Sequence, residues 1–341
     1  DAVVQRVYDE LIRHGAEASI SYDALPHLGT DGIRAVVQSI RRHLVEHGCT
    51  FHYSSKLNDV HIVDGQLKSI RVNNDIHQPS TLILALGNSA RTTFRMLHRK
   101  GLRIEAKPFA VGVRIEQSQA MLNRSIYGNE NWAQILGPAT YRLTHNGTYT
   151  FCMCPGGFVI GAASERDSIV TNGMSYEARN GEFCNSAIVS TVDSKDFGND
   201  LFAGMDFQQQ IERSARREGY LAPAQYVSTF LNGKERVAMP RSSFQPGVYR
   251  GNLSTLFPER LTNGLKSALH KFELTVRDFT RDAVLIAPET RTSSPVRILR
   301  DQDVRASLDC AQIYPIGEGS GYAGGIISSA ADGYSLGLRL K

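Results

Sequence analysis

Apolar residues recur along this chain with two periods, and the elements follow from where each holds. Helical spacing joins Val3, Val4, Val7, Leu11 and Ile12 into a first helix stopped at Gly15, and Ile33, Val36, Val37, Ile40 and Leu44 into a second closed by Gly48. The connection between them holds a short strand at Ser19–Tyr22 and a loop, Pro26-His27-Leu28-Gly29-Thr30-Asp31, that ends on Asp31 as an N-cap. His27 reads as a surface or capping histidine in preference to a ligand contact. Extended patterns follow at Thr50–Ser54, Leu57–Val63 and Leu67–Val72, the last two joined by the hairpin turn Asp64-Gly65. Thr81-Leu82-Ile83-Leu84-Ala85-Leu86 is apolar without interruption, as in a parallel strand buried on both faces. It enters a small-residue loop, Gly87-Asn88-Ser89-Ala90-Arg91, and a helix from Thr92 to Lys100. This order matches the second half of a nucleotide-binding α/β domain.

From about Gly101 to Thr280 the pattern changes. Phe109, Val111, Val113 and Ile115 alternate with Ala110, Gly112, Arg114 and Glu116, which predicts a half-buried strand. Strands at Thr148–Met153 and Phe158–Ala163 flank the hairpin-like Pro155-Gly156-Gly157, and helices fall at Phe207–Glu218 and Leu261–Phe272. Asn172–Asn185 and Asn232–Ser254 read as irregular, lid-like loops. After Ala283-Val284-Leu285-Ile286-Ala287 the chain returns towards its first part.

The C-terminal stretch is the most informative. Ile313, Tyr314 and Ile316 suit a strand, Gly317-Glu318-Gly319-Ser320-Gly321-Tyr322-Ala323-Gly324-Gly325 is a glycine-rich loop, and a helix follows from Ile326 to Lys341. Gly319, Gly321 and Gly324 fit G-x-G-x-x-G, but no second strand and no ribose-binding acid roughly 20 residues later follow. The loop therefore reads as one that closes a ligand site from the carboxyl end of a sheet, with free N–H groups at the positive end of a helix facing an anion or a polarised ring; the alternative is a tight strand-to-helix connection that binds nothing.

Composition narrows the possibilities. With 341 residues there is room for two domains. The 38 basic and 34 acidic side chains leave a formal charge of +4, too small and too evenly spread to imply nucleic acid, and Arg213-Ser214-Ala215-Arg216-Arg217 reads as a solvated helix face. Five scattered cysteines fit a reducing, cytoplasmic setting. No long apolar run or signal-peptide pattern points to a membrane.

Several long motifs resemble a bacterial family of poorly characterised FAD-dependent dehydrogenases, within the glutathione-reductase-like flavoproteins. They are Leu84–Phe94, Glu105–Glu116, Tyr149-Thr150-Phe151-Cys152-Met153-Cys154-Pro155-Gly156-Gly157, Val170–Ser175, Glu289–Arg297 and the Gly317–Gly325 loop. The resemblance implies an α/β fold in which a discontinuous, partial FAD/NAD(P)-binding Rossmann-like domain (1–101 and 282–341) is interrupted by an inserted α+β substrate domain (102–281). It implies FAD as cofactor, with NAD(P)H as a possible electron donor and a small molecule as substrate. Family members carry a G-x-G-x-x-G strand and loop upstream of the residues seen here, so the chain reads as the C-terminal portion of such a protein. By the same resemblance Glu318 and the backbone of Gly317, Gly319, Gly321, Tyr322, Ala323, Gly324, Gly325 and Ile326 line the cofactor. Ala85, Leu86 and Gly87 pass beneath it, and Leu57 approaches the adenine.

Candidate chemistry beyond the cofactor rests on four residues. Glu289 and Arg291 would form a polar wall that orients substrate or tunes the flavin, the alternative being an exposed crossing segment. Cys152 and Cys154 share one side of a regular strand. That is poor disulfide geometry and lacks a helix N-terminus to activate a thiol, so packing is favoured over redox chemistry, and a metal has least support. The leading function is hydride transfer by an FAD-dependent oxidoreductase. A non-catalytic flavin- or nucleotide-binding module, and a fragment that folds without cofactor, remain alternatives. Substrate-dependent flavin bleaching separates the first from the other two.

Overall fold

Phe109–Ser118 and Phe183–Val192 run antiparallel in unbroken register, from Phe109 opposite Val192 to Ser118 opposite Phe183, and form the centre of a seven-stranded sheet. In a computed structural model that describes residues 2–23 and 27–340, the strand order is Val248–Arg250, Ala222–Tyr226, Val284–Glu289, Phe109–Ser118, Phe183–Val192, Thr148–Cys154 and Thr144–His145. Only the first pair is parallel. Expectations at Asp1, Pro26 and Lys341 fall outside the described residues.

Val111, Val113 and Ile115 enter the main core, which the helix Glu259–Thr275 completes with Leu261, Leu265, Leu269 and Phe272. The alternation of the Phe109–Ser118 strand is real, yet its polar face is not solvated. Arg114 and Glu116 are buried as fully as their apolar neighbours. The antiparallel pair Phe158–Gly161 and Thr171–Met174 covers that face, and Ser243 donates from its backbone N–H to Glu116 at 3.0 Å. A half-buried strand is thus corrected to one buried on both faces, because an added layer supplies partners for its polar side chains.

A second core lies beside the first. Val60, Leu67, Leu84, Phe94, Leu97, Ile104, Val296, Ile298 and Ile313 bring together a three-stranded antiparallel sheet (Leu57–Val63, Gln66–Val72, Asp75–His77), the helix Arg91–Arg99 and two short pairs. One pair is antiparallel, Ile104–Ala106 with Val296–Ile298; the other is parallel, Leu82–Leu84 with Ile313–Pro315. Met205, from the helix Ala203–Ala215, joins this core and ties it to the large sheet's layer. The whole is a mixed α/β fold with several sheets.

Several local expectations change. Ser19–Tyr22 belongs to a 3-10 turn, Ala18–Ser21, and Thr50–Ser54 is a loop. Asp31 lies inside the first turn of the helix Gly29–Glu46 and accepts the backbone N–H of Glu177 (3.0 Å), so it does not serve as the N-cap. Asn172–Asn185 holds most of the strand Thr171–Met174 and the start of Phe183–Val192, and Val248–Arg250 is a strand within Asn232–Ser254. The run Thr81–Leu86 narrows to the strand Leu82–Leu84, and Ile83 is 46% exposed, so both-face burial does not hold there. No helix among the described residues is long and apolar enough to cross a membrane.

Candidate functional site

The parallel pair fixes the first candidate site. Ile313 lies opposite Leu82 and Pro315 opposite Leu84, so the loops that leave both strands start side by side at their carboxyl ends, where α/β sheets bind ligands. The loops touch through backbone. A Cβ on Gly319 would stand 2.3 Å from the Gly87 carbonyl oxygen, closer than any side chain can approach. Asn88 bridges them, donating from Nδ2 to Glu318 at 2.7 Å and to the Arg291 carbonyl at 3.1 Å. Gly321, with a left-handed φ of +85°, lies against Val296 and Arg297. Gly87, Asn88, Gly317, Glu318 and Tyr322 therefore form one surface, with Gly319 and Gly321 buried in the contact between the loops and their support.

A buried ion pair holds this surface from behind. Asp332, in the helix Ile326–Gly337, takes both Nη atoms of Arg300 at 2.8 Å and accepts the N–H of Gly317 at 2.8 Å. Arg300 also donates to the Pro315 carbonyl at 2.6 Å and stacks 4.1 Å from the Tyr322 ring, while Arg297 stacks at 4.9 Å. Sequence reading missed Asp332 and Arg300. Their pairing joins the segment after the Val296–Ile298 strand to the helix Ile326–Gly337, and neither sits in a motif that marks it.

Towards solvent the surface is open. Ala85, Gly87, Gly324, Gly325 and Ile326 form an exposed rim, and a Cβ on Gly87, Gly324 or Gly325 would meet nothing within 4 Å. Gly325 begins the helix without a side-chain cap, leaving its positive end towards that space. Lys107 and Glu318 stand close enough to influence each other. Burial and then the Arg297 charge push the Lys107 ammonium down, opposed by Glu318. Burial pushes the Glu318 carboxyl up, opposed by Asn88 and Lys107. Two groups shifted towards neutrality beside an open rim are a feature of ligand sites. Leu57 lies apart, opening the Leu57–Val63 strand and packing on the second core, as does Leu86. The loop contact gives a paired prediction. Gly319→Ala is expected to cost about 1–3 kcal/mol by overpacking, and Gly324→Ala to stay within about 0.5 kcal/mol, as read by urea denaturation.

Arg291 does not reach the rim with its charge. Its Nε and Nη2 bind Glu212 at 3.0 and 2.9 Å, and Nη1 binds Ser164 at 2.8 Å. Glu212, in the helix Ala203–Ala215, is fully buried and also accepts both Nη atoms of Arg91 (2.9 and 2.8 Å) and the Thr290 hydroxyl (2.8 Å). One carboxylate thus joins the helix after the first loop, the sheet-covering helix and the returning segment.

Glu289, two residues earlier, belongs to a second constellation. Arg114, wholly buried, donates from Nε and Nη2 to the two oxygens of Glu289, each at 2.9 Å. Its Nη1 donates to Asn185 Oδ1 at 2.8 Å and to the Cys152 carbonyl at 3.2 Å. Gly173 crosses directly above, where a Cβ would lie 2.2 Å from Arg114 Nη1. The Thr148–Cys154 strand is bulged here. Asn185 pairs with Cys154 and Ala187 with Phe151, so Cys152 and Met153 together oppose Ser186, and Cys152 takes a left-handed φ of 49°. The regular alternation expected at Cys152 and Cys154 is broken: Cys152 is exposed and Cys154 buried. The Cys154 thiol donates to the Cys152 carbonyl at 3.4 Å, and its closeness, helped by the Arg114 charge and opposed by burial and Glu289, holds the Cys152 thiol down to about 6. The closeness of Cys152, with burial, pushes the Cys154 thiol up. Of the four candidate catalytic residues, three meet at Arg114, a residue that alternation had assigned to an ordinary polar face.

Comparison with known proteins adds two findings. An uncharacterized protein of Clostridium beijerinckii (strain ATCC 51743 / NCIMB 8052) is 42% identical over 345 residues, covering 97% of this chain. The chain spans 64% of that protein's length. The family model described as "FAD-dependent protein, C-terminal domain-like" matches residues 108–292, a segment that contains Arg114, Cys152, Cys154, Glu212, Glu289 and Arg291. That match takes in more than half of the sequence, and the chain belongs to the FAD-dependent protein, C-terminal domain-like family.

Proposed function

We propose that this chain is the larger part of an FAD-dependent oxidoreductase, in which the flavin lies over the rim formed by Gly87, Gly324, Gly325 and the start of the Ile326–Gly337 helix. The observation that carries the reading is the apposition of two loops at the carboxyl ends of parallel strands, locked by the close approach of Gly319 to Gly87. The family's name supports the cofactor. The residues present fit it: glycines leave an open cradle, and an uncapped helix terminus offers N–H groups and positive potential to phosphate or to the electron-poor edge of a ring.

In this reading the segments on either side of the seven-stranded sheet form a discontinuous Rossmann-like domain and the sheet's layer holds a small-molecule substrate. FAD supplies hydride transfer, to or from that substrate or a nicotinamide cofactor. The protein's residues position it. Asn88 and Glu318 fix the two loops against each other, Arg300 and Asp332 fix the second loop to its helix, and Lys107 places positive charge beside Glu318. Glu289 and Arg291 act as structural anchors for the segment joining the layers, since each charge is paired inside the protein.

Reductive titration of the flavin-loaded protein under anaerobic conditions tests the proposal. Loss of the oxidised flavin's visible absorbance on adding NADH, NADPH or a member of a small-molecule substrate panel is the expected result. Tight flavin binding with no reduction by any donor would favour a non-catalytic binding module.

A further inference from the structure

Three observations converge on the bulge of the Thr148–Cys154 strand. The first is geometric. In a regular strand, residues two apart lie about 6.7 Å apart, at the upper limit for a disulfide; the bulge at Cys152 removes that regular spacing, and the Cys154 thiol turns back on its neighbour, donating to the Cys152 carbonyl at 3.4 Å. The second concerns access: Cys152 is exposed, whereas Cys154 is buried beside it. The third is an orphaned donor. Asn185, fully buried and paired in register with Cys154, uses Oδ1 for Arg114 and leaves its Nδ2 without a partner. A buried amide donor without an acceptor is costly, and an anionic sulfur held in this corner would satisfy it.

We propose that Cys152 and Cys154 are a redox-active dithiol that reduces disulfides, with Cys152 as the attacking thiolate and Cys154 as the resolving thiol. The groups that face Cys152 are Arg114 from the Phe109–Ser118 strand, Glu289 from Val284–Glu289 and Cys154 from its own strand. Arg114 is held in place by Glu289 and Asn185 and donates to the Cys152 carbonyl, so its positive charge is fixed beside Cys152. The low thiolate range of Cys152 agrees with this placement.

The chemistry balances. Cys152 thiolate attacks one sulfur of a substrate disulfide, forming a protein–substrate S–S bond and expelling the other sulfur as a thiolate. Cys154 then attacks Cys152 Sγ, forming the Cys152–Cys154 disulfide. Its proton leaves with the second substrate sulfur as a thiol. The dithiol loses two electrons and the substrate disulfide gains them; an external dithiol such as dithiothreitol reverses the change. No step requires flavin, so the proposal can fail or stand separately from the reading of the loop site.

The test uses the full chain in a Cys49→Ser background, because Cys49 is the other exposed thiol. After reduction and desalting, oxidised glutathione and insulin are offered as small and protein disulfides. Expected results are consumption of at least one of them and, by mass spectrometry, a Cys152–Cys154 disulfide. With Cys154→Ser the reaction should stop at one glutathione on Cys152, and with Cys152→Ser no adduct should form. Which disulfide is consumed identifies the source of substrate. In the unsubstituted chain, iodoacetamide at pH 6 should alkylate Cys152 about tenfold faster than Cys49, the gain in thiolate being partly offset by the lower nucleophilicity of a more acidic thiol. Thermal melting within a few degrees of the parent shows that the serine variants fold. Failure to consume either disulfide, absence of the internal disulfide, or adducts that persist in Cys152→Ser would overturn the proposal.

Discussion

Replacing Glu212 with alanine is expected to destabilise the protein by about 3–5 kcal/mol, the range for removing one partner of a buried ion pair. The carboxylate has no access to water and receives five hydrogen bonds, two from Arg91, two from Arg291 and one from Thr290. Glu165 would remain as a weaker counter-charge, at 3.2 Å from Arg91 and 3.9 Å from Arg291, so the loss falls short of stranding two isolated cations. Because the three elements joined belong to both cores, the loss should appear in global denaturation by urea. The pH dependence has a defined sign. Burial pushes the Glu212 carboxyl up, but hydrogen bonds and charge from Arg291 and Arg91 outweigh it and hold the group below its ordinary range. Its contribution is therefore complete above about pH 4.3, the unfolded carboxyl's range, and is lost as pH falls through the folded value. Glu212→Gln should remove that acid-side component; an identical acid profile in the variant would show that another carboxyl carries it.

Arg114→Met carries the second large effect, again about 3–5 kcal/mol, since it leaves the buried Glu289 carboxylate without its bidentate partner. The double variant Arg114→Met with Glu289→Leu should recover much of that stability, because removing both charges removes the desolvation penalty of the one left behind. A double variant as unstable as the sum of the singles would mean that the guanidinium's bonds to Asn185 and the Cys152 carbonyl matter more than the ion pair. The same substitution separates packing from electrostatics at the thiols. With the cation gone, the pH at which Cys152 alkylation is half-maximal should rise from near 6, whether or not stability is recovered by the second change.

Hairpin turn chemistry and helical apolar spacing are legible in the sequence; long-range pairings are not. The hairpin across Asp64-Gly65 and the helices Gly29–Glu46 and Glu259–Thr275 follow directly from turn chemistry and apolar spacing. Phe183–Val192 carries no clear strand pattern in the sequence, although it forms the sheet's centre. Its Asn185, Ser186 and Ser190 break the apolar pattern, and they are tolerated inside because Arg114, Tyr141 and Thr148 bond to them. Arg114 shows the same limit from the other side. A charged residue at an even position of an alternating strand reads as solvent-facing, and only Glu289, 175 positions away, reverses that. Glu212 sits beside Arg213, Arg216 and Arg217 in a stretch that looks like a solvated helix face, so its inward turn towards Arg91 and Arg291 has no local mark. The glycine-rich loop was legible because glycine spacing is itself a backbone constraint; what holds the loop, Arg300 with Asp332, was not.

Photoaffinity labelling with an azido-substituted FAD tests the location of the proposed cofactor site most directly. Saturable labelling, competed by FAD and confined to peptides spanning 85–91 and 317–326, is the expected result. Saturable labelling elsewhere, such as the cleft lined by Gln225, Glu235 and Arg250, or no label that FAD competes away, would contradict it.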